Sequence, residues 1–310
     1  MDIGHPLYLL PFDHRESFTS GLLGVAGPPD RAQRREAEDL KMLIWDAFED
    51  ALDRGAPRES CGVLVDEEYG ADVARFARAA GVTLAMPVEK SGLEKFELAY
   101  DDFADHIADF EPDLVKVLVR YNPEDDPASN RPQETRLACL SSWLRAHHHR
   151  LLFELLVPPT AAQQARAGDE LTYEHRMLPG LIVDSIAALQ NAGIEPDIWK
   201  IQGIDDRGGC EGAAAQARSQ GRDDVTCIVL GHGADVERVR GWLSVAAGVP
   251  GYAGFAAGRT IWHDPLADYL GGRLDRDAVR HRIADNYLAM IDTYRNAANQ
   301  PVASTTGAVS

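Results

Sequence analysis

The sequence is poor in cysteine, in positive charge and in long apolar runs, and each shortage excludes a class of protein. Its four cysteines lie far apart, which excludes a disulfide scaffold and zinc-type spacing and indicates a reducing compartment. A formal charge of -18 disfavours nucleic acid and anionic membranes as partners, because phosphate binding depends on Lys and Arg. No stretch approaches the roughly 20 apolar residues of a membrane helix, and the N-terminus lacks a secretory pattern. We therefore expect a cytoplasmic protein without nucleic-acid or membrane partners.

The sequence also lacks a G-x-G-x-x-G or Walker pattern, which disfavours an open, doubly wound nucleotide-binding sheet. Eight short aliphatic runs alternate instead with helical patterns, as is typical of βα units around a parallel sheet. The predicted strands are 7–12, 62–65, 83–86, 114–120, 151–157, 198–202, 226–230 and 253–257. The predicted helices begin near residues 29, 71, 101, 130, 177, 210, 235 and 265, and the last helical stretch is 276–296. We predict an α/β protein, a single (β/α)8 TIM barrel over residues 1–297, with 298–310 as a disordered tail.

Lysine is rare in this chain, with five lysines against 26 arginines, yet two of the five lie inside apolar strand patterns. These are Lys116 and Lys200, and Glu154 is set in the same way in the strand between them. Side chains alternate along a strand, so each must face either the helices or the barrel lumen. A charge buried against the helices costs several kcal/mol unless it is paired. We therefore place all three side chains in the lumen.

Two amines and a carboxylate at one barrel mouth can form an imine with a carbonyl substrate. A lysine attacks a carbonyl in its neutral form, and a second cation together with partial desolvation favours that form. The carboxylate can then transfer protons as general acid and base. We therefore predict Lys200, Lys116 and Glu154 as catalytic residues. A structural Lys–Glu pair that fills the barrel is the alternative.

Further candidates follow other strands, at the end of the barrel where TIM-barrel chemistry takes place. Asp13 closes the first strand and is predicted as a fourth catalytic residue, which can orient a lysine or a substrate hydroxyl. Glycine-rich loops after the seventh and eighth strands are typical phosphate sites, because backbone N–H groups can approach the anion there. The predicted substrate- and phosphate-binding residues are Arg15, Lys90, Gly231, His232, Gly233, Gly258 and Arg259.

No metal or other cofactor is expected. The run His147, His148 and His149 is a poor chelating set, since consecutive helical residues point in different directions. The acids Asp66, Glu67 and Glu68 are interpreted as solvated loop residues, with a place in the lining of the barrel mouth as the alternative because they follow a strand. An imine mechanism is therefore favoured over metal-dependent chemistry.

Six stretches of the chain resemble the DUF2090 family, whose domain occurs alone or beside a myo-inositol-catabolic 5-dehydro-2-deoxygluconokinase. The stretches are 9–15, 85–92, 115–123, 153–158, 199–201 and 258–261, and the resemblance runs from Leu7 to Tyr294. The family is in turn distantly similar to class I tagatose-bisphosphate and sulfofructose-phosphate aldolases. The resemblance implies an aldolase that acts on a phosphorylated keto sugar or sugar acid.

By position, the resemblance implies that Lys200 is the Schiff-base lysine and that Lys116 and Glu154 are its strand-four and strand-five partners. It assigns Asp13 and Arg15 as the first-strand acid and arginine, and Gly258 and Arg259 as the last-strand Gly-Arg pair. The implied substrate is 2-deoxy-5-keto-gluconate 6-phosphate, which would give dihydroxyacetone phosphate and malonate semialdehyde. The sequence contains no kinase domain, so a related ketose-phosphate aldolase is an alternative.

Two other functions are left open by the residues alone. A barrel isomerase or epimerase could use Glu154 and the lysines for proton transfer without a covalent intermediate. A non-catalytic module could bind a phosphosugar without converting it. The expected partner in every case is a small phosphorylated molecule. Association into a homo-oligomer is also left open, because no interface is evident in the sequence.

Overall fold

A computed structural model describes residues 5–300 of the chain, which form eight parallel strands closed into a barrel in sequential order. The strands are β1 (Leu7–Pro11), β2 (Cys61–Leu64), β3 (Thr83–Pro87), β4 (Leu114–Arg120), β5 (Arg150–Leu156), β6 (Ile198–Gln202), β7 (Thr226–Leu230) and β8 (Tyr252–Ala256). Strand β1 pairs with both β2 and β8, which closes the ring. The predicted (β/α)8 barrel is therefore confirmed.

Helices connect the strands and cover the outside of the barrel. They are α1 (Glu16–Leu23), α2 (Arg31–Asp53), α3 (Glu67–Ala80), α4 (Phe103–Phe110), α5 (Pro127–Ala146), α6 (Ala161–Ala167), α7 (Glu170–Arg176), α8 (Leu178–Asn191), α9 (Arg207–Ala217), α10 (Val236–Ala246), α11 (Arg259–Leu270) and α12 (Arg276–Ala298). A short 3₁₀ turn, Arg58–Ser60, precedes β2. Helix α12 ends at Ala298, and residues 301–310 of the predicted tail lie outside the described residues.

The predicted strands lie within one residue of the observed bounds, but several helix predictions are wrong. Helices α1, α6 and α7 were not predicted, because each is only seven or eight residues long and carries little periodic signal. Helix α3 begins at Glu67, four residues before the predicted start, because Asp66 accepts a hydrogen bond from the Tyr69 N–H as an N-cap. Helix α11 begins at Arg259 and contains Pro265, where the sequence had predicted its start.

Two apolar cores lie on the two faces of the sheet. The larger one fills the space between strands and helices. The smaller one plugs the lower lumen with aliphatic side chains, and its members are Leu7, Leu9, Leu64, Ala85, Leu114, Leu152, Ile198, Ile228 and Ala256. Because side chains alternate, the next inward residues on β4, β5 and β6 lie one layer closer to the C-terminal mouth. This layer lines a cavity at the mouth of the barrel.

No helix within residues 5–300 is long and apolar enough to cross a membrane.

Candidate active site

A cavity of about 490 Å³ opens at the C-terminal ends of the strands, and all eleven predicted site residues line it. They are Asp13, Arg15, Lys90, Lys116, Glu154, Lys200, Gly231, His232, Gly233, Gly258 and Arg259. Seven of the eight strands supply them, either from their last residues or from the loops that follow. The volume lies within the range of roughly 300–1,000 Å³ that is typical of small-molecule sites.

Strand alternation points Lys116, Glu154 and Lys200 into the lumen. Each lies two residues after an aliphatic member of the lower-lumen core on its own strand. The residues beside Lys116, Val115 and Val117, pack instead in the outer core against the helices. The lumen placement predicted for the three side chains is therefore what the structure has.

Lys116 forms the centre of an ionic cluster in this layer. Its Nζ donates to Asp13 Oδ2 at 2.8 Å and to Glu89 Oε1 at 2.8 Å, and it lies 3.1 Å from Glu154 Oε2. The Nζ of Lys200 lies 3.0 Å from the same Glu154 oxygen. Glu154 Oε2 therefore lies between two amines, of which Lys116 has three carboxylates around it and Lys200 has one.

Burial and ion pairing act against each other in this cluster. Burial disfavours the ammonium of Lys116, but the three carboxylates outweigh it and hold the pKa of Lys116 above its ordinary value. Burial also disfavours the carboxylates of Asp13 and Glu154, yet the nearby lysines hold the pKa of both below the ordinary range. A charged Lys116 beside ionised Asp13 and Glu154 follows from these shifts.

Glu89 is a cluster member that the sequence reasoning missed. It is buried, and burial raises its pKa although Lys116 and Arg15 oppose the shift. Its Oε2 has no hydrogen-bond partner within the described part of the chain. Arg15 donates to the Glu89 carbonyl oxygen at 2.9 Å and lies 3.6 Å from Oε1, so its guanidinium is engaged there. The sequence could have indicated Glu89 as a further candidate, because it lies in the loop after β3 directly before the predicted residue Lys90.

The loops after β7 and β8 form a glycine-lined rim beside Arg259. Gly233 has φ +73°, which favours glycine, and a Cβ atom there would lie 2.7 Å from the Arg259 Nη2, so any other residue would have to displace the guanidinium. A Cβ on Gly258 would lie 2.1 Å from the Pro11 oxygen. Gly258 is also the N-cap of α11, and it has no side chain that could accept a hydrogen bond from the first N–H groups of that helix. The N-terminus of α11 lies at the cavity. Such a rim suits an anion.

Two histidines add neutral polar groups to the cavity wall. Burial lowers the pKa of His14 to about 4, so its imidazole is neutral at pH 7. Desolvation and the nearby Arg259 place the pKa of His232 below its ordinary value. His232, with φ +49°, lies between the two glycines of the β7 loop. Neither imidazole adds positive charge to the cavity at neutral pH.

Asp66 is buried, so its interpretation as a solvated loop acid is wrong. Its carboxylate forms an ion pair with Lys41 of α2, and both side chains are about 99% buried or more. Lys41 also donates to the His14 carbonyl oxygen at 2.9 Å. The pair lies behind the cavity wall and supports the loop that carries Asp13 and Arg15. The sequence hid it because the partners are 25 residues apart on different elements.

Within residues 5–300, no group of three or more His, Cys, Asp and Glu side chains is arranged to hold a metal ion.

The family model DUF2090, described as uncharacterized proteins conserved in bacteria, matches residues 4–298. The chain belongs to this family. The resemblance that residues 9–15 and the five later stretches indicated is thus confirmed over nearly the whole sequence. No curated protein matches the chain significantly.

Solved structures similar to this DUF2090 protein share its barrel. The protein Cgl0159 from Corynebacterium glutamicum has a TM-score of 0.60 at 18% identity, covering 93% of this chain and 86% of its own. A Schiff-base-forming fructose-1,6-bisphosphate aldolase has a TM-score of 0.55 at 15% identity over 93% of both chains. An archaeal fructose 1,6-bisphosphate aldolase has a TM-score of 0.56 at 14% identity over 94% of both chains. This likeness agrees with the closed barrel of eight parallel strands and shows that the TIM-barrel fold is shared.

Proposed function

We propose that this protein is a class I aldolase that cleaves or forms a carbon–carbon bond in a phosphorylated keto sugar or sugar acid through an imine on Lys200. It would therefore be a lyase that needs no cofactor. Two of the similar barrels are fructose-1,6-bisphosphate aldolases, and one of them forms a Schiff base. This likeness supports the class of reaction, and the residues of the cavity supply the groups that the reaction needs.

One observation carries the proposal: two buried amines share a single carboxylate oxygen at the floor of an open cavity. Lys116 and Lys200 both lie within 3.1 Å of Glu154 Oε2. A pair that only filled the barrel would need no cavity above it. Lys200 lines the cavity, so its Nζ can reach a bound carbonyl group. Glu154 is within proton-transfer distance of that amine.

Imine formation follows from this arrangement. Glu154 first takes a proton from the Lys200 ammonium with which it is paired, and the neutral Nζ then attacks the ketone carbon while Glu154 returns this proton to the carbonyl oxygen. Glu154 next takes a proton from the nitrogen of the carbinolamine and gives it to the hydroxyl group, which leaves as water. The products of this step are an iminium on Lys200 and a carboxylate on Glu154, so the proton balance is closed.

Carbon–carbon cleavage then uses the iminium as the electron sink. Glu154 accepts the proton of the substrate hydroxyl on the β-carbon, and the electrons of the bond between the α- and β-carbons move to the iminium. An aldehyde leaves and an enamine remains on Lys200. Proton return from Glu154 to the α-carbon and hydrolysis release the ketone phosphate. No oxidant or reductant is consumed. Asp13 holds Lys116 in place throughout.

The glycine rim is the proposed phosphate site. Gly231, Gly233 and Gly258 line this side of the cavity without side chains that would keep an anion away from the backbone, and Arg259 adds a guanidinium that can bind two phosphate oxygens. Binding here fixes the adjacent ketone against Lys200 and lowers the entropic cost of attack. Arg15, Lys90 and His232 are proposed to contact the rest of the substrate.

Among possible substrates, the family resemblance favours 2-deoxy-5-keto-gluconate 6-phosphate. Its ketone carbon is C5, and cleavage between C3 and C4 would give dihydroxyacetone phosphate and malonate semialdehyde. The reaction would belong to carbohydrate metabolism, in myo-inositol catabolism.

Reductive trapping tests the proposal directly. The protein is incubated with dihydroxyacetone phosphate or with each of a panel of keto-acid and ketose phosphates, treated with borohydride and digested with trypsin. Reduction of an imine on Lys200 blocks cleavage after that residue, so residues 177–207 should appear as one peptide with added mass. Release of dihydroxyacetone phosphate from the panel identifies the substrate.

Controls separate the alternatives. Lys116→Met should leave any trapped mass on the peptide of Lys200, whereas trapping on Lys116, Lys90 or Lys95 would refute the assignment. Turnover that persists in Lys200→Met would favour an isomerase or epimerase. Thermal stabilisation by the phosphosugars without product, in the absence of trapping, would favour a binding module.

A further inference from the structure

The cavity is much more basic than the protein that surrounds it. The chain carries a net charge of -18, yet the cavity is lined by seven Lys and Arg side chains against four Asp and Glu. Four of the five lysines in the chain are among them. Such local enrichment indicates a strongly anionic ligand.

Most of these cations already have a carboxylate partner. Lys116 and Lys200 pair within the central cluster, Arg15 pairs with Glu89, and Lys95 pairs with Asp125 at 2.9 Å. Three lining cations have no carboxylate within 4.0 Å among residues 5–300, namely Arg259, Lys90 and Arg120. Arg259 belongs to the proposed phosphate rim. Lys90 and Arg120 lie on the opposite side of the barrel, because β3 and β4 face β7 and β8 in a ring of eight.

Arg120 is built into this wall. It is the last residue of β4 and has the same inward parity as Lys116, two residues beyond Leu118, which also lines the cavity. Its Nη1 donates to the Leu93 carbonyl oxygen at 3.1 Å, which fixes the side chain, while Nε and Nη2 have no protein partner in the described structure. Lys90 is exposed, and the Glu16 carboxylate lies over the neighbouring Gly92. An anion on this side is therefore best placed at Arg120.

The order of strands sets the direction of the substrate. Its ketone is held at Lys200 on β6 and its phosphate beyond, at β7 and β8. The remaining carbons must then extend past Glu154 on β5 toward β4. The far end of the substrate, which becomes the aldehyde, is directed to Arg120.

We infer that Arg120 determines specificity by binding an anionic group, a carboxylate or a phosphate, on the aldehyde half of the substrate; this inference rests on the proposed aldolase function. The substrate is accordingly anionic at both ends, with Arg259 holding one charge and Arg120 the other. Arg120 does not enter the bond-making steps. Its planar guanidinium offers two free N–H groups for a bidentate contact.

Condensation in the synthetic direction isolates this residue. The protein is loaded with dihydroxyacetone phosphate and offered succinate semialdehyde, glyceraldehyde 3-phosphate or the neutral aldehyde butanal. The wild type should prefer an anionic aldehyde over butanal in kcat/KM. In Arg120→Met this preference should fall roughly 10- to 100-fold, as expected for loss of one charge-assisted hydrogen-bond pair. Whether the carboxylate or the phosphate loses more identifies which anion the site takes.

Arg136 provides a matched control. Its Nη1 donates to the Phe96 carbonyl oxygen at 3.4 Å, so it contacts the same loop as Arg120 but does not line the cavity. Arg136→Gln should change the preference by less than about twofold. Arg120→Lys, which keeps the charge without the fork, should retain part of the preference.

The two proposals fail in different ways. If dihydroxyacetone phosphate is trapped on Lys200 but the wild type does not prefer anionic aldehydes, or Arg120→Met keeps the preference, the assignment of Arg120 is wrong and the aldolase stands. An equal loss in Arg136→Gln would show that the loop, not the guanidinium charge, sets the preference. If no imine forms on Lys200, the aldolase proposal itself fails.

Discussion

Two lysine–carboxylate groups are buried in this protein, and they differ in what surrounds them. The cluster around Lys116 and Lys200 lies under an open cavity. The Lys41–Asp66 pair is closed off, with the Lys41 Nζ 5.2 Å from the ring centre of Phe18 and 5.5 Å from that of Tyr69. A buried ion pair becomes chemically useful only where a ligand can reach it. The open cluster can therefore contact a ligand, whereas the sealed pair can only support the structure.

The electrostatic balance also differs between the open cluster and the sealed pair. In the open cluster three carboxylates hold the pKa of Lys116 up. In the sealed pair burial outweighs the single partner, so the pKa of Lys41 is lowered and that of Asp66 is raised. The number of partners thus decides whether a buried amine keeps its proton firmly.

Removal of the Lys200 amine should have the largest effect. Lys200→Met is expected to lower turnover by at least about 1,000-fold, because no imine can form. Its free energy of unfolding should be maintained, since Glu154 still pairs with Lys116. Steady-state kinetics and urea unfolding measure the two effects. A variant that loses stability but keeps turnover would reverse the roles assigned to the two groups.

The sealed pair should show the opposite behaviour. Lys41→Met leaves the Asp66 carboxylate buried without its partner and should cost about 3–5 kcal/mol in the free energy of unfolding. Lys41→Met combined with Asp66→Asn removes both charges and keeps a cap for the Tyr69 N–H, so it should recover at least half of the loss. Urea titrations compare the variants. If the double variant is no more stable than the single one, charge burial is not the cause.

A smaller effect is expected at the rim of the open cavity. Gly233→Ala should displace Arg259, raising KM for a phosphorylated substrate roughly tenfold, or about 1.4 kcal/mol. Gly272 is a matched control, since it has φ +70° but no atom within 4 Å of an added Cβ. Both variants should lose about 1 kcal/mol of stability from backbone strain, but only the first should change KM. Equal KM values would argue against the phosphate rim.

The smallest effect is expected in the pH dependence of the free energy of unfolding. Asp13 and Asp66 should contribute to this dependence with opposite signs. The folded pKa of Asp13 is depressed, so its contribution is present above the unfolded value of about 3.9 and is lost as the pH falls further. The folded pKa of Asp66 is raised, so its contribution is present below about 3.9 and is lost as the pH rises through the folded pKa. Unfolding of the wild type, Asp13→Asn and Asp66→Asn between pH 3 and 6 tests the contrast. Parallel slopes would contradict it.

The sealed pair also shows where a readable signal was missed. Lys41 lies four residues after Ala37 and three before Ile44, both buried, so it occupies the apolar stripe of α2. A lysine in that stripe is as unusual as one in a strand. Its partner could not be predicted, because Asp66 reaches it only when α2 and α3 pack together.

By itself the sequence determined the barrel and the inward direction of three catalytic candidates. Strand alternation is a local rule. A lysine between two valines in a buried strand must therefore point into the lumen, because on the other face its charge would be buried against the apolar helices. The glycine loops were predictable for a similar reason, because backbone conformation depends on nearby residues.

Only the tertiary structure decided which charges neutralise one another. Glu89 in the loop after β3 joins Lys116 of β4, Lys95 pairs with Asp125, and Arg120 lines the cavity with Nε and Nη2 unpaired among residues 5–300. These pairings depend on distances of a few ångströms between elements far apart in the chain, and Coulomb and desolvation energies change steeply over such distances. The residue pattern records the charges, whereas the fold determines which of them remain available for a ligand.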